Sequence, residues 1–194
     1  MIGFSELLAA QFAPYAALSI EQLRQLEEHY KLLLRWNEKM NLTRIETVED
    51  AVRFHYCESL FLAKSLPPGP LRIVDVGSGA GFPGIPVAVL RPDCTVDLVE
   101  SHQRKAVFLR QVSSGLGNVK VVANRAESCS HDYDWVISRA VRIDQVLSLG
   151  LAPETSILMS TSDGTELSDA TKLHRLPWGT NRFIAEFHVE HDKI

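Results

Sequence analysis

The chain has 194 residues, enough for one substantial domain with an appended subdomain. It is 45% hydrophobic and 23% charged, an ordinary globular composition whose core needs no disulfide or metal staple. A net charge of −4 excludes a protein that coats nucleic acid non-specifically, so any such contact must use a local basic surface.

The first 66 residues read as helical. The strongest helix spans Ile20 to Met40, with Ser19 as N-cap and Gln22 completing a capping box. Ile20, Leu23, Leu26, Tyr30, Leu33 and Leu34 recur at spacings of three and four, which predicts one buried face. Arg24, Glu28, Lys31 and Arg35 take the other faces. Asn41-Leu42-Thr43 ends this helix, and a second covers Val48–Ser65. Leu66-Pro67-Pro68-Gly69-Pro70 then stops helical structure. It divides an N-terminal helical subdomain, 1–66, from a second domain, 67–194.

Beyond Pro70, strands alternate with helices. Strands are expected at Leu71–Val76, Thr95–Val99, Val119–Ala123, Trp135–Ser138, Ser156–Met159 and Arg182–His188. Helices are expected at Phe82–Leu90, His102–Gly115 and Ile143–Leu149. The alternation predicts an α/β fold, a Rossmann-like and mainly parallel sheet with helices on both faces. Ligands of such sheets sit beyond the carboxyl ends of the strands.

The segment with most chemical content runs from Ile73 to Gly84, where a buried strand enters the glycine series Gly77, Gly79, Gly81. Two readings compete. Gly79-Ala80-Gly81-Phe82-Pro83-Gly84 fits the dinucleotide pattern G-x-G-x-x-G, and Glu100 stands where a ribose-binding acid belongs. Yet that fingerprint opens at the strand end, whereas Gly79 comes two residues after Gly77. Asp75, just before the loop, would also repel a pyrophosphate drawn to a helix N-terminus. S-adenosylmethionine has no phosphate and carries an ammonium group, so an acid followed by Gly-x-Gly-x-Gly suits it better. Glu100 then accepts from the ribose hydroxyls. Asp75, Gly77, Gly79 and Gly81 resemble the first motif of class I methyltransferases.

The resemblance extends further. Trp36-Asn37-Glu38-Lys39-Met40-Asn41-Leu42-Thr43 resembles a W-N-x-x-x-N-L-T signature. Val74–Arg91 resembles a V-D-V-G-[ST]-G-x-G-x-P-G-I-P block, Arg104-Lys105 with Phe108-Leu109 a K-R-x-x-F-L helix, and Ile137-Ser138-Arg139-Ala140 an I-S-R-A strand end. Together they resemble the bacterial small-subunit ribosomal RNA guanine-N7 methyltransferases, also called glucose-inhibited division protein B, over residues 30 to 142. The resemblance implies methyl transfer from S-adenosylmethionine to N7 of one guanine in 16S rRNA. It also places cofactor contacts on Gly77, Phe82, Ala126, Glu127 and Arg139. The chain departs from the pattern at Glu58, where the family usually has Asp. Ile157–Gly164 lacks a lysine the family often carries, and the last third matches poorly.

Guanine N7 is a lone pair with no proton to lose, so no general base is expected and no catalytic residue is nominated. Arg139, at a strand end, is a candidate to orient the base or the RNA backbone. Asn41 and Arg44 are RNA candidates from the helical segment, and Arg104, Lys105 and Arg110 are phosphate candidates on one helix. Arg125 and Arg142 add to this set. His55 reads as a hydrogen-bonded structural histidine. Cys57, Cys94 and Cys129 form no CxxC pair, and no metal site is expected. The opening Met1–Ala10 carries Glu6 and no positive n-region, and no apolar run reaches the about 20 residues that span a bilayer. A cytoplasmic monomer without membrane contact is expected, with 16S rRNA or the small ribosomal subunit as partner. Two alternatives stay open: a class I methyltransferase acting on another RNA or a small molecule, and a cofactor-binding module without catalysis.

Overall fold

In the computed structural model, residues 3–44, 47–160 and 169–189 are described. Residues 161–164, part of the segment in which the family lysine is missing, lie outside them.

Helix α1 spans Phe4–Phe12. The sequence reading left it out, although Phe4, Leu8 and Phe12 stand four apart and are all buried. Helix α2 spans Ile20–Asn37, three residues short of the expected end. Its capping box forms as read: Gln22 N–H donates to Ser19 Oγ at 3.1 Å, and Ser19 N–H to Gln22 Oε1 at 2.9 Å. Its buried stripe is Leu26, His29 and Leu33. Ile20 is 88% exposed and Leu34 43% exposed, so both fall outside the face that periodicity assigned them. The expected helix over Val48–Ser65 is present but uneven. It comprises α3 (Val48–Ala51), a π-helical turn (Val52–Cys57) and α4 (Glu58–Ser65). Wide turns of this kind favour functional sites.

The alternating part contains β1 (Arg72–Val76), α5 (Gly84–Leu90), β2 (Thr95–Val99), α6 (Gln103–Val112) and β3 (Val119–Val122). It continues with a 3-10 turn (Ala126–Ser128), β4 (Trp135–Arg139), α7 (Ile143–Leu147) and β5 (Glu154–Ser160). The last two strands are β6 (Lys172–Arg175), which the sequence reading missed, and β7 (Arg182–His188). The strand order is β3-β2-β1-β4-β5-β7-β6. Strands β1 to β5 are parallel, and β7 runs antiparallel to both of its neighbours. The order reverses between β1 and β4, which opens a crevice at their carboxyl ends.

Period-two alternation divides the sheet between two cores. Ile73, Leu98, Ile137, Leu158 and Ile184 join a large cluster with Leu8, Leu26, Tyr56, Ile85 and Phe108. Val74, Val76, Val99, Val136 and Ile157 join a smaller one with Val146 and Leu151. Helices α1 to α6 therefore cover one face, and α7 with its flanking loops covers the other. The N-terminal helices share the first core with α5, α6 and the sheet, which fixes them against the loop that follows β1.

Candidate functional site

The site begins where β1 ends. Gly77, Gly79 and Gly81 have φ values of +74°, +55° and +86°. Such angles favour glycine, and at Gly77 a Cβ would also come within 2.7 Å of Val141 Cγ2. The loop therefore turns back over the ends of β1 and β2 with its main chain bare. Gly77, Glu100, Arg125, Ala126, Glu127 and Val141 line an open cleft of about 170 Å³ beside it. A second opening of about 410 Å³ lies past Val141, between Arg139, Arg142, Leu158 and Arg182.

Among the residues read as cofactor ligands, Gly77, Glu100, Ala126 and Glu127 are brought together around the cleft. Glu100 is buried at its edge. Its Oε2 accepts from Gly79 N–H at 3.0 Å, and its Oε1 from His102 N–H at 2.8 Å. Each oxygen keeps a lone pair for a further donor. One carboxylate thus ties the glycine loop to the start of α6 and faces the cleft.

Asp75 lies elsewhere. It is wholly buried beneath the loop, where its Oδ2 accepts from Gly84 N–H at 3.0 Å. Its Oδ1 is buried and has no hydrogen-bond partner among the described residues. Burial is the main cause that raises its pKa from 3.8 to about 7. Between about pH 4 and pH 7 the folded chain keeps a proton that the unfolded chain has released. That favours the folded state at the acid end and is lost as pH rises through about 7. Asp75→Asn is neutral throughout, so its melting temperature should gain on the wild type between pH 5 and pH 8. Thermal melts at the two pH values check this, and a constant difference would show that Asp75 does not titrate there.

Phe82 is 5% exposed and faces an aromatic cluster rather than the cleft. Its ring stacks on His55 with centroids 4.5 Å apart and meets His29 edge-on. His29 Nε2 lies 2.9 Å from the Ala80 carbonyl, and its Nδ1 is 2.8 Å from Tyr56 Oη. The carbonyl can only accept, so Nε2 donates and Tyr56 O–H donates to Nδ1. Fully buried polar groups persist when paired in this way. The sequence reading missed His29, although its place in the α2 stripe marks it as a core residue. It pins α2 to the glycine loop.

Arg139 ends β4 with Nη1 2.7 Å from His55 Nδ1. An arginine only donates, so His55 Nδ1 accepts and its Nε2–H donates to Thr43 Oγ1 at 2.8 Å. Burial first, then the Arg139 charge, holds the His55 pKa down to about 2, which keeps it neutral. His55 is therefore hydrogen-bonded as read, and it also connects the helical segment to Arg139. Beyond Arg139 lie two residues the sequence reading did not bring together, Glu58 on α4 and Arg182 on β7. Arg182 pairs with Glu58 through Nε–Oε1 and through Nη2–Oε2 at 2.7 Å.

The motifs acquire local explanations. Asn37 Oδ1 accepts from Leu42 and Thr43 N–H at 2.8 and 2.9 Å, which folds the chain back after α2. Trp36 Nε1–H donates to Gln111 Oε1 at 3.0 Å and joins α2 to α6. Ser138 Oγ–H donates to the Val76 carbonyl at 2.9 Å and ties the ends of β4 and β1. The RNA candidates are more scattered. Asn41 and Arg44 are exposed after α2, and Arg104 and Arg110 are exposed on α6. The last two lie six residues apart, about 240° around the helix, so they do not form one face with Lys105. Arg142 pairs with Asp144 at 2.7 Å. Among the described residues, no group of three His, Cys, Asp or Glu side chains could hold a metal ion, and no helix is long and apolar enough to cross a membrane.

Comparison with known proteins gives this geometry a context. The family model described as rRNA small subunit methyltransferase G matches residues 22–156, and the chain belongs to that family. A ribosomal RNA small subunit methyltransferase G of Chromobacterium violaceum is 43% identical over 127 residues, 63% of this chain and 60% of the relative. One of Desulforamulus reducens is 37% identical over 149 residues, 72% of this chain and 62% of the relative. The matched part thus spans less than two thirds of these relatives' length. Among solved structures, an S-adenosylmethionine-dependent methyltransferase from Aquifex aeolicus superimposes with a TM-score of 0.57 at 13% identity. It covers 73% of this chain and 93% of that one. An O-methyltransferase from Thermotoga maritima gives 0.56 at 16% identity and covers 84% and 73%. At these identities the structures show the fold alone, which is the class I methyltransferase fold.

Proposed function

We propose that this member of the rRNA small subunit methyltransferase G family transfers a methyl group from S-adenosylmethionine to N7 of one guanine in 16S rRNA. The observation that carries the reading is the cleft in which the glycine loop, Glu100 and the Ala126–Glu127 turn converge at the strand ends. Its donor set fits this cofactor. The main chain is bare at Gly77, and a carboxylate suits ribose hydroxyls, whereas Glu100 and Glu127 beside Arg125 make the lining a poor match for a pyrophosphate. Glu100 would hold the ribose, and the Ala126–Glu127 turn the adenine. Gly79, Gly81, Asp75 and Phe82 would act one layer out, by shaping the loop. When bound, S-adenosylmethionine supplies an electrophilic methyl group on a sulfonium centre.

The chain's own contribution is orientation. N7 has no proton to remove, and well-held reacting pairs gain about 7–11 kcal/mol. Arg139, which the resemblance also gives as a cofactor contact, would orient the nucleotide. Asn41 and Arg44 would contact the surrounding RNA, and Arg104, Lys105 and Arg110, on different sides of α6, would reach it singly rather than as one patch. We read residues 1–66 as a helical subdomain that braces the loop and 67–194 as the cofactor domain, in a cytoplasmic monomer.

The test is transfer of labelled methyl groups to small ribosomal subunits from a strain lacking this modification, followed by nucleoside identification. Label in 7-methylguanosine at one 16S site is expected. Label in another nucleoside would keep the cofactor and remove the target. No label on any RNA, with cofactor binding intact, would favour a small-molecule substrate or a binding module.

A further inference from the structure

We propose that Arg139 and Arg182 form an anion subsite beside the cleft, which takes one phosphate of the RNA strand carrying the target guanosine. This rests on the RNA-methyltransferase reading and extends it to a residue on β7 that no motif marks.

The argument is one of charge. Glu58 is fully buried, and both of its oxygens are engaged by Arg182. The same Oε2 lies 3.8 Å from Arg139 Nη2. One carboxylate therefore serves two guanidinium groups. The other close partner of Arg139 is His55, which is neutral and offers only a lone pair. Among the described residues, no second carboxylate pairs with either arginine. Over the described residues the cluster carries an excess positive charge, on side chains only 17% and 23% exposed.

A charge withdrawn from water in this way is costly unless an anion meets it. Burial already draws the Arg139 pKa down to about 10, as expected of a guanidinium short of counter-charge. The Phe54 ring lies 5.0 Å from the Arg182 guanidinium carbon and supports that group from one side. Both arginines border the opening past Val141. Two guanidinium groups at one opening suit the oxygens of a phosphate, which accept hydrogen bonds from such forks. The guanine itself is a poorer match. Its N7 must face the methyl group, and a neutral base edge leaves the charge unbalanced. Arg142 does not count towards the excess, because Asp144 pairs with it.

The test compares wild type, Arg182→Ala and Arg182→Lys in the full chain. The KM for unmodified small subunits is measured across a salt series, and S-adenosylmethionine affinity by calorimetry. One lost phosphate contact lowers the slope of log affinity against log salt by about 0.7 for a single strand. Arg182→Ala should lose that much slope and raise KM at least tenfold, with cofactor affinity within twofold of wild type. Arg182→Lys keeps a cation on Glu58 and loses the fork, so it should fold, keep the slope and raise KM severalfold. An unchanged KM in Arg182→Lys would make the arginine a structural ion pair and overturn the proposal. So would a tenfold loss of cofactor affinity in Arg182→Ala at unchanged slope, since the anion would then be the cofactor's carboxylate.

If the wild type transfers no methyl group to RNA, the functional reading fails and the subsite is decided separately. The chain loaded with S-adenosylhomocysteine is then titrated with guanosine 5′-monophosphate and with guanosine. A tenfold preference for the monophosphate, lost in Arg182→Ala, would uphold the subsite, and equal binding would end it.

Discussion

Glu100→Ala should weaken S-adenosylmethionine binding about 100-fold while the fold persists. In the wild type a single carboxylate receives the Gly79 and His102 N–H groups and faces the cleft. Hydrogen bonds to a charged group contribute about 1.5–3 kcal/mol each, so loss of the ribose contact alone is worth about a factor of 10 to 150. The alanine also releases the loop from α6, and the ordering of Gly79 then falls on the binding step. Glu100→Gln should lose nearly as much. Its amide has one accepting oxygen, and its NH2 group must turn toward one of two N–H donors. Calorimetric titration reads the affinity, and circular dichroism checks the fold. Binding by Glu100→Ala within threefold of wild type would remove Glu100 from the cofactor site.

The place of Glu100 beside the glycine loop is readable because every part of it is local in sequence. An apolar run, a glycine series and an acid at the next strand end identify the crevice before any coordinates. The position of Asp75 was also within reach. Alternation along β1 puts Asp75 on the side of Ile73, which packs in the helix-covered core. A carboxylate on that side points under α5 rather than into the cleft. Periodicity misled at Ile20 and Leu34, because the residues at the margin of a stripe face solvent when the partner surface is narrow. Arg182 and Glu58 lie 124 positions apart, and no local pattern links them. Their pairing follows from the sheet order, which places β7 beside β5, and from a carboxylate within an apolar helix that required a partner. The departure from the family's usual Asp at position 58 was visible, but its counterpart on β7 was not.

Gly84→Ala should be strongly destabilising. Gly84 opens α5, where alanine would ordinarily gain about 1 kcal/mol over glycine. Packing opposes that gain. A Cβ there would collide with Leu98 Cδ2, lie 2.6 Å from Asp75 Oδ2 and come 3.1 Å from Asp75 Cβ. All of these groups are buried. Overpacking costs about 1–3 kcal/mol and occasionally more. Displacing Asp75 also breaks its bond to Gly84 N–H and leaves a second buried oxygen without a partner, for about 1–3 kcal/mol more. The sum exceeds the propensity gain severalfold. At about 2–4 °C per kcal/mol for a chain of this size, the melting temperature should fall by about 10 °C. Gly115→Ala and Gly117→Ala serve as controls, since a Cβ at either meets nothing within 4 Å, and both should stay within about 0.5 kcal/mol of wild type. Adding Leu98→Ala to Gly84→Ala makes room on one side only, so the pair should be less destabilised than the sum of the singles. The coupling energy of that pair measures the share of the loss that comes from the Leu98 clash, and the rest of the Gly84→Ala loss then falls on Asp75. If Gly84→Ala melts with the controls, the loop does not rest on Asp75.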